Sequence, residues 1–201
     1  MGQTMLIIGA FALLSVLTLS VNQTLLTTQT VGLEMEANLT ALSMAQSLMD
    51  EITTQEFDER TTTGLKIYTP SEMTDLGDLG PEAGETEITW VDTAYYNNGG
   101  SIAAYDNGGV FYDFKSRDYY DDVDDYHGYR RKVWDNRMGY FDVAVRTGYV
   151  NEDTPDSASS VRTNQKIIII SVSQFNLSKN LNGDVLPVVL KDLAVYRRFF
   201  Q

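Results

Sequence analysis

Five aspartates, Asp118, Asp121, Asp122, Asp124 and Asp125, stand within eight residues, and the chain's single histidine, His127, follows at once. Carboxylates this dense suit a hard cation, since Ca²⁺ takes about six to eight oxygens from carboxylates, carbonyls and water. Asp121, Asp122, Asp124 and Asp125 are therefore the candidate metal ligands, and Ca²⁺ is the candidate cofactor. The spacing is not that of an EF-hand loop, because the glycine and the distal glutamate are out of place. The competing expectation is a solvated acidic loop, partly paired with Arg130, Arg131 and Lys132 just downstream. His127 has no nucleophile beside it in sequence and reads as a surface residue rather than a general base. With one histidine and no cysteine, there is little from which to build a Ser-His triad, a histidine metal site or a disulfide. The expectation is a chain that is not an enzyme.

The acidic cluster must be carried by a strand-rich head. Residues 138–150 read as a strand containing Tyr140 to Arg146, which alternates in period two. Residues 166–175 include four consecutive isoleucines, Ile167 to Ile170, which favour a central strand with both faces covered. Residues 185–196 read as a last strand with Pro187 near its start, and Asn182-Gly183-Asp184 suggests the hairpin turn between the two. A further strand is expected over 87–96, around Ile88, Trp90 and Val91. Residues 71–87 are acidic and carry Gly77, Gly80, Pro81 and Gly84, the composition of a loop. Another loop is expected over 97–109, and the tyrosines between Tyr95 and Tyr149 are dense enough to serve as contacts between subunits. Arg197 and Arg198, among Tyr196, Phe199 and Phe200, offer cations to an acidic neighbour in an assembly. Three Asn-x-Ser/Thr patterns occur, at Asn22, Asn38 and Asn176. On a helix, the first two would place a sugar where packing is needed.

Ahead of the head lies a segment of different character. The first 33 residues carry no charged side chain, and neither Lys nor Arg appears before Arg60. Residues 5–21 are apolar apart from Ser15, Thr18 and Ser20, and Leu25 and Leu26 extend the run to a marginal membrane span. No basic residue precedes the run and no polar stretch follows it, which disfavours a removed signal peptide. Met35, Leu39, Leu42, Ala45, Met49 and Ile52 then recur at spacings of three and four, so the stripe Leu39, Leu42, Met49 and Ile52 is expected to pack on the head. Residues 1–57 therefore read as one helical unit. Its half over 1–33 is the membrane or filament-core part, and its half over 34–57 is amphipathic. Residues 58–201 read as the globular β-rich head. Threonine and Gly32 weaken the helix between residues 20 and 32, and a break is expected there. The fold class is α+β, with a long hydrophobic-to-amphipathic helix packed on an antiparallel sheet.

Charge follows the same division. Of the net −13, residues 1–92 carry −12, from 14 acidic and 2 basic side chains, and the remainder is nearly neutral. Such a surface repels phosphate backbones, and no nucleic-acid partner is expected.

Three segments together resemble the type IV pilins and pilin-like proteins. Gly2-Gln3-Thr4-Met5-Leu6-Ile7-Ile8-Gly9-Ala10 resembles the opening of a prepilin's hydrophobic helix. Residues 41–58 are similar to the second half of that helix in minor-pilin-like chains, and Asp121-Asp122-Val123-Asp124-Asp125-Tyr126-His127-Gly128 resembles an acidic segment of pilin-like heads. The resemblance implies a homopolymeric helical filament outside the cell, assembled through Met5, Leu6, Ile7, Ile8, Phe11, Leu13, Leu14 and Leu17. It implies the inner membrane as the precursor's location and the pilus assembly machinery as a partner. Gly2 is the implied processing residue, and cleavage after it would place Ile7 at the fifth mature position, where the family carries Glu. A pseudopilin or minor pilin of a secretion system is a close variant. A single-pass anchored domain that binds a partner outside the membrane is the alternative from another class.

Overall fold

The computed structural model describes residues 2–82 and 120–197. Helix α1 runs Gly2–Thr53 without interruption, a rod about 78 Å long at 1.5 Å per residue. The break expected between residues 20 and 32 is absent. The threonines that lower helix propensity instead bond backward into the helix: Thr24 Oγ1 donates to the Ser20 carbonyl at 3.0 Å, Thr27 to Gln23 at 2.9 Å, Thr28 to Thr24 at 2.9 Å and Thr30 to Leu26 at 3.0 Å. Ser15 and Thr18 do the same earlier in the helix. Each hydroxyl thereby finds an acceptor four residues back, so the segment needs no water to satisfy these donors.

The head is an antiparallel sheet in the order β1 (Arg130–Asp135), β2 (Gly139–Asn151), β4 (Gln165–Ser173), β5 (Val188–Val195), with β3 (Thr154–Ala158) pairing on β2. Strand β4 is central, as its isoleucines suggest. Its coverage is uneven, however: Ile168, Ile170 and Val172 are buried against the helix side, whereas Ile167 and Ile169 are only half-buried. Between β4 and β5, Asn180 Oδ1 accepts from the backbone N–H of both Asn182 and Asp184, and Gly183 takes φ +87° to close the turn. The expected strand over 87–96 and loop over 97–109 lie outside the described residues, as do Arg198, Phe199 and Phe200.

The helix meets the sheet through part of the expected stripe: Met49 and Ile52 pack on the head, and Leu39 and Leu42 do not. Ala37, Ala41, Ala45, Leu48 and Ile52 are fully buried against Phe141, Val143, Val145, Ile168, Ile170 and Val172, and Met49 sits at the edge of this core. Leu39 is 66% exposed and Leu42 36%, so neither packs on the head, and Met35 is likewise exposed. At about 100° per residue the alanines at 37, 41 and 45 share a face with Leu48 and Ile52, while 35, 39 and 42 point away from it. Small side chains won this face because they let the helix axis approach the sheet, and the larger apolar ones remain outside. The junction is fastened above and below the alanines by Arg137 Nη1 to Glu36 Oε1 at 2.8 Å and Tyr126 OH donating to Glu51 Oε1 at 3.0 Å.

Enlarging Ala41 to Leu should force the two layers apart and lower stability by about 1–3 kcal/mol. Leu39→Ser should change the same stability by less than about 0.5 kcal/mol. Chemical denaturation of the full chain in detergent compares the two.

Candidate functional site

Two features stand out: the uncovered apolar rod and a buried charge cluster at its foot. Every residue from 2 to 33 is exposed, including Met5, Leu6, Ile7, Ile8, Phe11, Leu13, Leu14 and Leu17. That stretch is about 48 Å long, more than the roughly 30 Å of a bilayer's hydrocarbon core. By length and composition α1 is a candidate membrane span. The exposed Met35 and Leu39 carry its apolar surface onward beside the head. A surface of this size is not left to water in a stable chain, and it needs lipid or protein against it. Gly2 sits in the first turn, with open space around it.

At the other end, residues 54–58 leave α1 and pair with the acidic segment. Glu56 N–H donates to the Asp121 carbonyl at 3.1 Å and Val123 N–H to the Glu56 carbonyl at 3.0 Å. This places Asp58 beside the turn Asp124–Tyr126 and the first buried residue of β4, Lys166. Asp122, Asp124 and Asp125 are buried, and only Asp121 of the four expected metal ligands is exposed. The solvated loop expected of this segment is therefore absent. The buried cation paired with this segment is Lys166, at Asp124, and Lys132 pairs with Asp142 at 3.6 Å.

Lys166 has no exposed surface. Its Nζ donates to the Phe57 carbonyl at 2.8 Å, to Asp58 Oδ2 at 3.0 Å and to Asp124 Oδ1. The rings of Phe57 and Tyr149 lie 4.7 and 5.1 Å from the ammonium. Asp58 is saturated with donors. Besides Lys166 it accepts from Thr74 N–H at 3.0 Å and Tyr149 OH at 3.0 Å, and it caps the short helix α2 (Glu59–Thr62). Burial pushes its carboxyl up, but the Lys166 charge and these hydrogen bonds outweigh burial and hold it below its ordinary value. Burial and the same carboxylate push the Tyr149 phenol up, and burial and Glu51 do so for Tyr126.

The remaining aspartates turn inward on their own backbone. Asp122 Oδ1 accepts from the N–H of Asp124 at 2.8 Å and Asp125 at 3.0 Å, and Asp125 Oδ2 from Asp121 at 2.9 Å and Asp122 at 3.1 Å. Asp122 Oδ2 and Asp124 Oδ2 are buried with no N–H aimed at them. Burial, then the charges of Asp124 and Asp125, pushes the Asp122 carboxyl up to about 10. Among the described residues no group of three or more acidic or histidine side chains is arranged to hold a metal ion. His127 is exposed, with Nδ1 2.6 Å from the Thr147 carbonyl.

Lys166 was invisible as a site in the sequence because it opens an apolar strand. The usable signal was its parity: it lies in period two with Ile168, Ile170 and Val172, all facing the core.

Lys166→Met should destabilise the full chain by about 3–5 kcal/mol, because Asp58 and Asp124 are left buried without their cation. Denaturant titration reads this directly. Stability should also depend on pH with a defined sign. Folded Asp122 keeps a proton up to about 10, whereas an unfolded aspartate loses it near 3.8. Between those values the folded chain binds the extra proton, so stability falls as pH rises, by at most about 1.4 kcal/mol per unit. Asp58 acts oppositely, and its contribution is lost as pH drops below 3.8. Melting curves across pH 5 to about 9 should slope downward, and Asp122→Asn should flatten them. Comparison of the chain with models of known protein families, with curated proteins and with solved structures found no match.

Proposed function

We propose that this chain is a structural subunit of a type IV pilus-like extracellular filament, held in the inner membrane by its apolar helix before assembly. The observation that carries this reading is the exposure of the whole apolar rod over residues 2–33, on a helix whose other end is fixed in the head. Lipid covers such a rod in the precursor, and copies of the same rod cover it in a filament. Burial of apolar surface on that scale offers on the order of tens of kcal/mol before ordering entropy is charged. Identical subunits joined by a contact that does not close make a helical fibre. The internally bonded hydroxyls support both environments, because neither lipid nor an apolar bundle has water to offer them. The outward row of Met35, Leu39 and Leu42 extends the contact surface alongside the head. The acidic charge keeps the heads soluble on the outside of such a bundle. Adhesion is one role such a filament serves.

A second reading has one observation in its favour. A cleft of about 490 Å³ at the foot of the head is lined by Phe57, Leu65, Ile67, Tyr68 and Tyr196, with Lys66 and Arg197 at its rim. A single-pass anchored domain that binds a ligand there would use the same helix only as a membrane span.

Shearing of cells that make the chain, followed by high-speed pelleting and negative-stain microscopy, separates the two. The filament reading expects long particles containing the chain, and their loss on Leu14→Asp, because a buried charge is not tolerated in an apolar bundle. Chain found only in the membrane fraction, and dispersed by detergent as single copies, supports the anchored domain instead.

A further inference from the structure

We propose that Lys166 and Asp124 condense to an intramolecular isopeptide bond, so that the mature head carries a covalent link between strand β4 and the acidic turn. The two side chains already touch, Nζ against Oδ1, and both are buried. Water, which would favour the separated acid and amine, is shut out by Phe57, Tyr149 and the core around them. The ion pair itself supplies the driving force. Two charges held in an apolar interior bear a desolvation penalty, and a neutral amide removes it. Fixed contact between the reacting groups replaces a bimolecular encounter with an internal one.

The neighbours have the roles that condensation needs. Asp58, held ionised by its donors and 3.0 Å from Nζ, takes a proton from the ammonium and frees the amine lone pair. Asp122, buried beside Asp124 with its Oδ1 accepting the Asp124 N–H at 2.8 Å and its carboxyl pushed up by that burial, passes its proton to the Asp124 carboxylate and makes its Cγ electrophilic. The lone pair of Nζ then forms the N–C bond at Cγ. The nitrogen returns one proton to Asp122, and the departing hydroxyl takes the proton from Asp58 and leaves as water. One ammonium and one carboxylate become one amide and one water, both helper carboxyls are restored, and no oxidant or co-reactant is consumed. Asp58 is the base and not the electrophile, because Tyr149, Thr74 and the α2 cap stabilise its anion.

Mass spectrometry of the denatured full-length wild-type chain tests this without any variant. The intact mass, corrected for the N-terminus found, is expected to lie one water molecule below the sequence mass. Tryptic digestion should yield segment 118–130 joined to segment 163–179, through Asp124 and Lys166. Lys166→Met should return the chain to its full sequence mass. Wild-type chain at full mass, with segment 118–130 recovered unlinked and cleavage after Lys166 giving segments 163–166 and 167–179, overturns the proposal. So does a water loss that reverses in mild base, which marks a succinimide at an aspartate and not an amide to lysine.

Discussion

A single ammonium group without access to water governs how this head is built. Lys166 joins three stretches of chain far apart in sequence: the exit of the long helix at Phe57 and Asp58, the acidic turn at Asp124, and the central strand. A charge in that position demands partners, because an unpaired one costs far more than a hydrogen bond returns. The demand fixes where each stretch can lie. The helix exit has to present a carbonyl and a carboxylate, the turn has to present another carboxylate, and the tyrosine of β2 has to close over Asp58. An apolar residue at 166 would pack the same space without specifying which segments meet there.

The long helix is built under a different constraint, that of serving two neighbourhoods along one axis. Its lower part offers the sheet a face of alanines, narrow enough for close approach, and its upper part offers a mostly apolar surface. The two faces overlap between residues 35 and 42, where Ala37 and Ala41 look inward while Met35 and Leu39 look out. Hydroxyl groups spaced through the upper part turn back to carbonyls four residues earlier, so the polar content of the sequence is not the polar content of the surface.

Much of this was legible in the residues. The charge-free start, the stripe that follows and the alternating strands were enough to give a helix packed on an antiparallel sheet. The hairpin turn at Gly183 was marked by its composition. What misled was a weighting by hydrophobicity. Leu39 and Leu42 looked like core because they are greasy, whereas Ala37 and Ala41 were core because they are small, and only the tertiary distance between helix and sheet decides between these. The threonines looked like a break because propensity scales describe helices in water. The aspartates looked like a solvated loop or a cation site because sequence distance hides Lys166, 42 residues beyond Asp124. Burial of four charged groups together is a property of the fold and cannot be read from any local window.

The absence of a hinge in α1 has a mechanical consequence. An unbroken helix bends little and resists twist, and here its lower turns are clamped by Arg137, Tyr126 and the alanine face. Head and rod therefore turn as one lever. Sliding the rod by a single residue along a partner would swing the head through about 100° around the axis. In a bundle of such rods the seating of each would select which side of its head looks outward, and a load applied to the head would reach that seat as torque, with no flexible joint to absorb it.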